Sequence, residues 1–439
     1  MSKINNETLN DEQLLAFESM KNGHNVFLTG PGGSGKSYLQ KIFIDWFEET
    51  NLYINDEIHV TSTTGLSALL INGITIHRFF GIGTGEKEAS DYIKLLKYKP
   101  DIVETLKNTK VLIIDEISMM DGELFDKLNI IAKKVRKNKK PFGGIQIIIS
   151  GDFLQLQPVK KNMFCYECET WKELNLKIFY FDKIIRQSDE ALQNVLNKIR
   201  IGKIDDEVKN ILNSCLNKEI NNELNILPSI LFSKKDMVEN YNNKELKKLI
   251  NSGASNKKFK SKYKFKHLNS SVIPDEKKEK LKKNIDIHYN NIDDELLLAI
   301  DTQVMLTINM PQYKLANGST GKIINFSENN YPIVSFLNGE ILEIKPFDYE
   351  LSDDEYIIIK KQLPLIHSWA ITIHKAQGMS LDFIKTDIGD SIFEFGQAYV
   401  VLSRIKSLDG LSLINIDYKK IKAHPKNLLY YDNLKKNII

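Results

Sequence analysis

Short apolar runs alternate with longer amphipathic stretches over the first 180 residues of the chain. Four of these runs are continuous and rich in β-branched residues: VFLTG (26–30), IHVTST (58–63), VLIID (111–115) and IQIIIS (145–150). Continuous apolar runs of this length are typical of parallel strands buried on both faces, and the intervening helices make right-handed crossovers between them. The pattern predicts a doubly wound α/β domain over residues 1–180.

The pattern changes twice in the rest of the chain. Residues 181–298 are more helical and more polar, whereas residues 299–363 contain short β segments separated by turn signals such as Asn317-Gly318. The α/β pattern returns after this stretch, and the chain ends in a short polar helical tail. We therefore predict a second α/β domain over 181–298 and 364–439, interrupted by a small β-barrel over 299–363.

A basic stretch, KKFKSKYKFK (257–266), lies in the polar part of the second predicted domain, and its lysines alternate with Phe and Tyr. Such a stretch is typical of an exposed strand whose lysine-rich face protects a sheet edge from pairing with other chains. The alternative is a strand that follows the phosphates of a nucleic acid. The sequence favours the first interpretation.

The bulk composition is that of a globular protein with several domains. The chain has 439 residues, of which 42% are hydrophobic and 27% are charged, and its formal net charge is +3. A chain of this length is too long to fold around a single hydrophobic core, so two or three domains are expected. The small net charge does not by itself indicate a nucleic-acid partner, because the electrostatic effect depends on how charges cluster.

The chain is expected to be soluble and intracellular, in the cytoplasm or nucleus, with no membrane partner. Its first residues, MSKINNETLN, are polar, and no apolar run approaches the roughly 18 residues of a membrane span.

Three cysteines are too few for a disulfide scaffold and suit a reducing compartment. Cys165 and Cys168 are spaced C-x-x-C, but Cys215 has no close Cys or His partner, so core packing is favoured over a metal or redox site.

The segment GPGGSGKS (30–37) follows the first predicted strand and matches the phosphate-binding pattern G-x-x-x-x-G-K-S/T. Glycines let backbone N–H groups close around phosphates without Cβ clashes, and the next helix N-terminus adds partial positive charge. Lys36 is expected to contact the β- and γ-phosphates of ATP, and the Ser37 hydroxyl is expected to bind Mg²⁺. The predicted nucleotide-binding residues are Gly30, Pro31, Gly32, Gly33, Ser34, Gly35, Lys36 and Ser37.

Two acidic residues stand at the end of the run 111–115, where Asp115 is the last residue and Glu116 follows it. A carboxylate at the end of a buried strand is costly unless it is paired, so a metal ion explains Asp115 better than chance does. Asp115 is expected to complete the Mg²⁺ shell, and Glu116 to orient or deprotonate the attacking water. With the P-loop, these residues predict a nucleoside-triphosphate hydrolase.

Five further stretches resemble the Pif-one (petite integration frequency) family of superfamily-one DNA helicases. The block 116–159 is similar to the signature stretch that separates this family from other superfamily-one members. The other four are VTSTTGLSALLINGITIHRFFGIG (60–83), KIIRQSD (183–189), PLIHSWAITIHKAQGMSLD (364–382) and GQAYVVLSRIKSLDGL (396–411). The resemblance implies two tandem RecA-like domains, an SH3-like barrel in the place of the β insert, and an ATP-dependent helicase that moves 5′-to-3′ on DNA.

The resemblance also implies roles around the nucleotide. Gln13 is similar in position to the glutamine that reads the adenine edge, and Gln155 to the residue that links the γ-phosphate to DNA. Gly378 is at a position that lies close to the nucleotide phosphates in members of the family. Arg186 and Arg404 resemble the arginines that the second domain inserts into the nucleotide cleft. Arginines in this role stabilise charge on the transferring phosphoryl group and are worth about 10³–10⁵ in rate.

On the DNA side, the resemblance implies that six residues grip a single strand: Thr64, His77, Phe79, His374, Lys375 and Gln377. Both histidines follow Thr-Ile, and without the resemblance each would be interpreted as structural. Phe79 and Phe80 are candidates for stacking on bases, and one of the pair is expected to lie in the core. The implied partners are single-stranded DNA and forked duplex DNA, bound by a monomer that can self-associate on DNA.

The chain departs from the family pattern at a few positions. Leu154 stands where the family often has phenylalanine, and Gln157 where it often has proline. Cys168 falls where relatives usually place serine, which weakens a metal-binding interpretation of the C-x-x-C spacing.

Two other functions are compatible with the sequence. The first is an ATP-driven single-strand translocase or protein-remodelling motor, which would lack a wedge that splits the duplex; residues 81–105 are the candidate wedge. The second is a nucleic-acid-binding module with a vestigial nucleotide site. Intact Lys36, Asp115 and Glu116 argue against the second, since a degenerate site should have lost at least one such residue.

Overall fold

The computed structural model of the chain divides into two compact units. It describes residues 9–50, 57–63, 68, 71, 73–83, 85–158, 163–185, 187, 189–232, 234–267, 272–289, 292–352, 356–376 and 379–438. The first unit comprises Met1–Gln187, Glu394–Gly396 and Lys422–Ile439, and the second comprises Ser188–Phe393 and Gln397–Ile421. Within the described ranges, no helix is both long enough and apolar enough to cross a membrane.

A parallel sheet lies at the centre of the first unit. Its described strands are β1 (Val26–Thr29), β2 (Ile58–Ser62), β3 (Ile74–Thr75), β4 (Val111–Asp115), β5 (Gln146–Gly151) and β6 (Lys177–Tyr180). They lie in the spatial order β3-β2-β4-β5-β1-β6, and each neighbouring pair is parallel. The four apolar runs that the sequence predicts as parallel strands are confirmed.

Helices cover both faces of this sheet, so its strands are apolar at successive positions. Val26 and Leu28 lie in one apolar cluster with Phe43, whereas Phe27 lies in a second cluster with Phe125. Burial on both faces explains why the strand sequences run as continuous apolar stretches rather than alternating with polar residues. The described helices of this unit are Asp11–Lys21, Lys36–Thr50, Ile76–Phe79, Ala89–Leu96, Pro100–Asn108, Gly122–Arg136, Glu169–Glu173 and Pro425–Ile438.

The last of these, which we call the C-terminal helix, belongs to the first unit although it follows the second in the chain. Its Tyr431 lies in the same apolar cluster as Phe153 and Trp171. The sequence pattern predicts that residues 364–439 all belong to the second domain, whereas Glu394–Gly396 and Lys422–Ile439 belong to the first unit. The aromatic residues of this helix are mixed with Lys and Asn, and their pattern carries no information about which sheet they pack on.

The described strands of the second unit form one parallel sheet and three antiparallel sheets. Its described strands are β7 (Ser229–Phe232), β8 (Asn256–Lys260), β9 (Lys262–His267), β10 (Glu295–Ala299), β11 (Gln303–Leu306), β12 (Thr320–Phe326), β13 (Pro332–Phe336), β14 (Ile341–Glu343), β15 (Phe347–Ser352), β16 (Tyr356–Gln362), β17 (Leu365–His367), β18 (Ala370–Thr372), β19 (Ile384–Ile388) and β20 (Leu411–Ile416). The parallel sheet has the order β18-β7-β19-β20. The described helices of this unit are Glu190–Arg200, Asp206–Ser214, Lys235–Asn251, Asp275–His288, Ile373–Ala376 and Gln397–Leu402.

The antiparallel sheets have the orders β14-β13-β12-β11-β17, β15-β16-β9 and β10-β8. The segment 299–363 is rich in strands, as the sequence predicts. Antiparallel pairing also extends beyond that segment, because β16 pairs with β9 and β11 pairs with β17. Closure of these strands into a barrel stays a prediction.

Candidate nucleotide site

The P-loop lies between β1 and the helix Lys36–Thr50, in a conformation that its glycines permit. Gly30 has φ 135° and Gly35 has φ 90°, both in the region that favours glycine. A Cβ atom at Gly30 would collide with the carbonyl oxygen of Phe181, and one at Gly35 would lie 2.5 Å from Nε2 of Gln13. The sequence pattern is therefore a steric requirement of this turn.

Lys36, the first residue of that helix, lies against its own loop. Its ammonium group donates to the carbonyl oxygens of Gly30 and Pro31, both at 2.8 Å, and to Oγ of Ser34 at 3.4 Å. These contacts hold the positive charge within the curve of the loop. The charge is thereby placed where the backbone would close around a phosphate chain.

Asp115 ends β4 as a buried carboxylate with hydrogen-bond donors around it. One carboxylate oxygen accepts the backbone N–H of Glu116 at 3.0 Å and the hydroxyl of Ser150, which in turn accepts Nε2 of Gln40 at 2.7 Å. Burial raises the pKa of the Asp115 carboxyl, whereas these hydrogen bonds, the charge of Lys36 and a hydrogen bond with the Ser37 hydroxyl act to lower it. Asp115 and Ser37, predicted as metal ligands, are thus brought together at one point.

Glu116 has a backbone conformation that is unusual for a residue other than glycine. Its φ is 54° and its ψ is 44°, at the start of the short 3₁₀ turn Ile117–Met119. Its carbonyl oxygen accepts the hydroxyl of Thr63 at 3.0 Å. A left-handed residue of this kind costs on the order of 1–3 kcal/mol, and such residues cluster at functional sites. The turn leads the chain away from the strand direction immediately after Asp115.

Gln13 is buried beside the P-loop with one of its polar atoms unpaired. Its side-chain oxygen accepts the backbone N–H of Asn10 at 3.2 Å, and the Asn10 side chain accepts the N–H of Gln13 at 2.9 Å, forming a capping box. Its Nε2 is buried and has no hydrogen-bond partner among the described residues. A buried donor without a partner is expensive and calls for a functional explanation.

Gln155 lies in a tight turn after β5. Its backbone N–H donates to the carbonyl oxygen of Asp152 at 2.9 Å, and an Asp152 carboxylate oxygen accepts the N–H of Leu154 at 3.1 Å. The Gln155 side chain is buried, and its Oε1 has no hydrogen-bond partner within the part of the chain that the structure describes. Two glutamines predicted from the resemblance, Gln13 and Gln155, thus share this property.

Residues of the C-terminal helix hold this turn. The backbone N–H of Phe153 donates to the hydroxyl of Tyr431 at 3.1 Å, and its carbonyl oxygen accepts the side chain of Asn427. Asn427 in turn accepts the hydroxyl of Tyr166 at 2.6 Å. The sequence does not predict a role for Tyr431 or Asn427, because no motif marks them and their partners lie far away in the chain.

Ser150 is another site residue that the motifs do not predict, although the sequence contains a signal for it. It is a polar residue near the end of an otherwise apolar parallel strand, as Asp115 is, and parallel strands end at the same edge of a sheet. The hydrogen bond between the two residues follows from that arrangement.

Of the two predicted arginines, Arg404 is described. It is 2% exposed and follows the helix Gln397–Leu402 in the second unit. Its Nε donates to the carbonyl oxygen of Val400 at 2.9 Å, and a terminal nitrogen donates to Oγ of Ser403 at 2.8 Å. Arg186 and Gly378 lie outside the described residues, so their predicted roles stay predictions.

Of the DNA-binding residues predicted in the first unit, His77 is half-buried and Phe79 is buried. Thr64 lies outside the described residues. Burial lowers the pKa of His77, which favours the neutral ring. Phe79 is 3% exposed and packs against His59 and Phe80, and Phe80 is fully buried. The expectation that one ring of this pair is available for stacking on a base does not agree with the structure, because both rings fill the core.

Two of the DNA-binding residues predicted in the second unit, His374 and Lys375, directly follow β18. His374 and Lys375 belong to the short helix Ile373–Ala376, and the N–H of Lys375 donates to Oγ1 of Thr372 at 3.1 Å. Burial lowers the pKa of Lys375. Gln377 lies outside the described residues.

Cys165 and Cys168 pack in the apolar core of the first unit. The Cys165 thiol donates to the carbonyl oxygen of Met120 at 3.2 Å. Burial raises the pKa of the Cys168 thiol to about 12, which keeps it protonated and unreactive at neutral pH.

The parallel sheet and the loop at the end of β1 define a P-loop α/β protein, and comparisons identify its family. The family model for PIF1-like helicases matches residues 8–219. The ATP-dependent DNA helicase PIF1 of Xenopus laevis is 36% identical over 436 residues, which cover 98% of this chain and 65% of that protein. The chain thus spans just under two thirds of the length of this relative.

Two solved structures are similar to this chain along nearly their whole length. The crystal structure of Pif1 helicase from Candida albicans matches with a TM-score of 0.78 and 32% identity, covering 97% of this chain and 99% of that one. Pif1 helicase from Bacteroides, solved in complex with ADP-AlF3 and ssDNA, matches with a TM-score of 0.65 and 25% identity, covering 98% and 97%. The chain belongs to the PIF1-like helicase family.

Proposed function

We propose that the chain is an ATP-dependent DNA helicase that translocates 5′-to-3′ on single-stranded DNA. One observation carries the proposal: a P-loop lysine, a buried Asp115 and a left-handed Glu116 lie together in the first unit of a chain from this helicase family.

The unpaired Nε2 of Gln13 supports adenine recognition. Adenine carries a ring-nitrogen acceptor next to its exocyclic amino group, and a glutamine amide can pair with that edge. Gln13 lies directly against Gly35 of the P-loop, so a base bound there would satisfy the buried donor. This arrangement fits ATP better than GTP, whose base presents a different pattern of donors and acceptors.

The residues present also fit Mg²⁺. Asp115 and Ser37 supply two oxygen ligands that lie in hydrogen-bonding contact with each other. Mg²⁺ usually takes only a few oxygen ligands from a protein and binds phosphate oxygens of the substrate as well. A divalent cation favours the charged form of a carboxylate whose burial opposes ionisation. When bound, Mg²⁺ neutralises charge on the β- and γ-phosphate oxygens.

Hydrolysis would use Lys36 and Glu116. Lys36 would exchange its contacts with loop carbonyls for phosphate oxygens, because the ammonium group lies within the loop. Glu116 would accept a proton from water as the water attacks the γ-phosphorus and the bond to the β–γ bridging oxygen breaks. Gln155 would accept a hydrogen bond from this water through its unpaired Oε1, and its amide N–H would be the group that donates to the γ-phosphate.

Coupling to movement requires a second domain. The parallel sheet β18-β7-β19-β20 supports the interpretation of the second unit as another RecA-like domain, with an SH3-like insert at residues 299–363. Arg404 and Arg186 would stabilise charge on the γ-phosphate from that domain. Closure would then depend on the γ-phosphate, and hydrolysis would reopen the cleft.

DNA would be held by the residues that the resemblance assigns, His77 and Lys375 among those described. The complex of the Bacteroides relative with ssDNA supports single-stranded DNA as the ligand. Partial burial of Lys375 would strengthen its attraction to a phosphate, since screening by solvent is reduced there.

Unwinding of forked duplexes tests the proposal. The parent chain should separate a fork that carries a 5′ tail, should not separate one that carries only a 3′ tail, and should require ATP. Lys36→Ala should fail on both forks while still binding single strands. ATP-driven movement on single strands without duplex separation would instead support a translocase or remodelling motor.

A further inference from the structure

The strands β8 and β9, which follow each other in the chain but belong to different sheets, carry exposed lysines at every second position. Between residues 256 and 267 exposure alternates at every position, so that even-numbered side chains are exposed and odd-numbered ones are half-buried. The exposed lysines, which we call the lysine row, are Lys258, Lys260, Lys262, Lys264 and Lys266. Alternate residues of a strand lie about 6.6 Å apart, so the three lysines of β9 extend over roughly 13 Å.

The charge of the lysine row is only partly neutralised. Lys258 and Lys260 share a single acidic partner, Glu295, at 2.9 and 2.8 Å. Lys262, Lys264 and Lys266 have no ion-pair partner among the residues that the structure describes. Both strands are edges of their sheets, so one or two lysines would suffice for edge protection. Three further unneutralised charges in line repel one another and favour an anionic partner.

The aromatic residues between the lysines face the interior. Phe259 stacks against Phe326 with ring centroids 6.4 Å apart, and the Tyr263 hydroxyl donates to Asp286 at 2.7 Å. Proteins that bind single strands combine positive charge with exposed aromatic rings on which bases stack. The lysine row offers charge alone, which suffices for the backbone of a duplex, where the bases are already stacked.

We propose that the lysine row is a docking surface for the sugar-phosphate backbone of double-stranded DNA. The proposal rests on the helicase function above, because a helicase that works at a fork meets a duplex. It adds a contact made by strands outside the P-loop unit, through residues that belong to none of the motifs assigned to the nucleotide or the single strand.

The salt dependence of duplex binding tests this proposal. We would compare the parent with the triple variant Lys262→Gln, Lys264→Gln, Lys266→Gln. Binding to a blunt duplex and to a single strand would be measured by fluorescence anisotropy over a range of salt concentrations. The duplex slope of log K against log salt should fall by about 0.9 for each lysine in contact, up to roughly 2.7 for all three. The single-strand slope should stay unchanged.

A charge-matched control uses exposed lysines on other surfaces, as Lys139→Gln, Lys244→Gln, Lys247→Gln. This control should keep the parent slopes for both ligands. An unchanged duplex slope in the row variant, an equal loss in the control, or a loss confined to single strands would each overturn the proposal. ATP hydrolysis stimulated by single strands is measured on the same samples, so failure of the helicase function is detected separately from failure of the lysine row.

Discussion

The hydroxyl of Tyr431 in the C-terminal helix lies 2.6 Å from Oγ1 of Thr29, the last residue of the strand that leads into the P-loop. The same hydroxyl accepts the backbone N–H of Phe153, which precedes Gln155 in the turn after β5. One oxygen atom thus links the P-loop strand with the turn that carries Gln155. The C-terminal helix thereby fixes two parts of the candidate site relative to each other.

Tyr431→Phe should destabilise the protein and slow ATP hydrolysis. The substitution leaves a buried backbone N–H and the Thr29 hydroxyl without this partner, which costs about 1–3 kcal/mol in the free energy of unfolding. Because the Gln155 turn then loses a support, kcat should fall more than KM rises. Urea unfolding and steady-state kinetics measure the two effects.

A double-mutant cycle with Thr29→Val isolates the link between the two residues. Residues in direct hydrogen-bond contact should show a coupling free energy of about 0.5–3 kcal/mol. Strict additivity of the two substitutions would contradict a functional link between the C-terminal helix and the P-loop strand.

Gln13→Ala should weaken the preference for ATP. Without the Gln13 amide, KM for ATP should rise about tenfold, equivalent to about 1.4 kcal/mol, while kcat changes little and GTP is used almost as well as ATP. Asn10→Ala is the matched control, since it removes the other half of the capping box. It should cost about 1 kcal/mol of stability but keep the nucleotide preference, and loss of preference in the control alone would refute the assignment.

Glu116→Gln should separate nucleotide binding from hydrolysis. A positioned general base contributes about 10²–10⁴ in rate, so kcat should fall by that factor while the affinity for ATP, measured by fluorescence with a nucleotide analogue, stays close to that of the parent. Glu123→Gln, an exposed acid in the first turn of the next helix, should behave as the parent does. Hydrolysis at the parent rate in Glu116→Gln would remove this residue from the mechanism.

Lys360→Met should destabilise the second unit. Lys360 is 1% exposed and contacts carboxylate oxygens of Asp286 at 2.9 Å and Asp294 at 2.8 Å. Removing one partner of a buried ion pair costs about 3–5 kcal/mol, and the lower end applies here because the two aspartates are partly exposed. Lys361→Met is the control. Lys361 is 39% exposed and lies 3.6 Å from Asp348, so the loss should stay within about 0.5 kcal/mol.

The effect of Lys360→Met should depend on pH. Although burial raises the pKa of Asp294, hydrogen bonds from Lys360 and Tyr263 outweigh it and the net pKa is lowered. A lowered pKa adds stability above the ordinary pKa of an aspartate, and that stability is lost as pH falls through the lowered value. The difference between parent and variant, measured by denaturant unfolding, should therefore shrink in acid, and a difference that grows in acid would contradict this ion pair.

Local sequence patterns were sufficient for the P-loop and for four strands of its sheet. The strands around Val26 and Val111 are continuous apolar runs because both faces of the sheet are covered, and Asp115 stands out as a charge at the end of such a run. Gly30 and Gly35 are fixed by backbone geometry within a few residues. These features depend on neighbours in the chain, so the sequence carries them directly.

Features that depend on distant partners could not be predicted in the same way. Tyr431 contacts Thr29 across 402 positions of sequence, and nothing in its surroundings indicates that partner. The sequence predicts that one of Phe79 and Phe80 lies in the core. The structure buries both, and the spacing of the two aromatic residues in the sequence does not indicate this. The sequence favours edge protection for the lysines of 257–266, because the lack of acidic partners for Lys262, Lys264 and Lys266 becomes visible only in three dimensions.

The most direct test of the central claim is the rate of phosphate release from ATP with and without single-stranded DNA. If the P-loop site drives movement along a strand, the parent should hydrolyse ATP slowly alone and much faster with DNA, and Lys36→Ala should be inactive in both conditions. Equal rates with and without DNA, or hydrolysis by Lys36→Ala at the parent rate, would contradict the account.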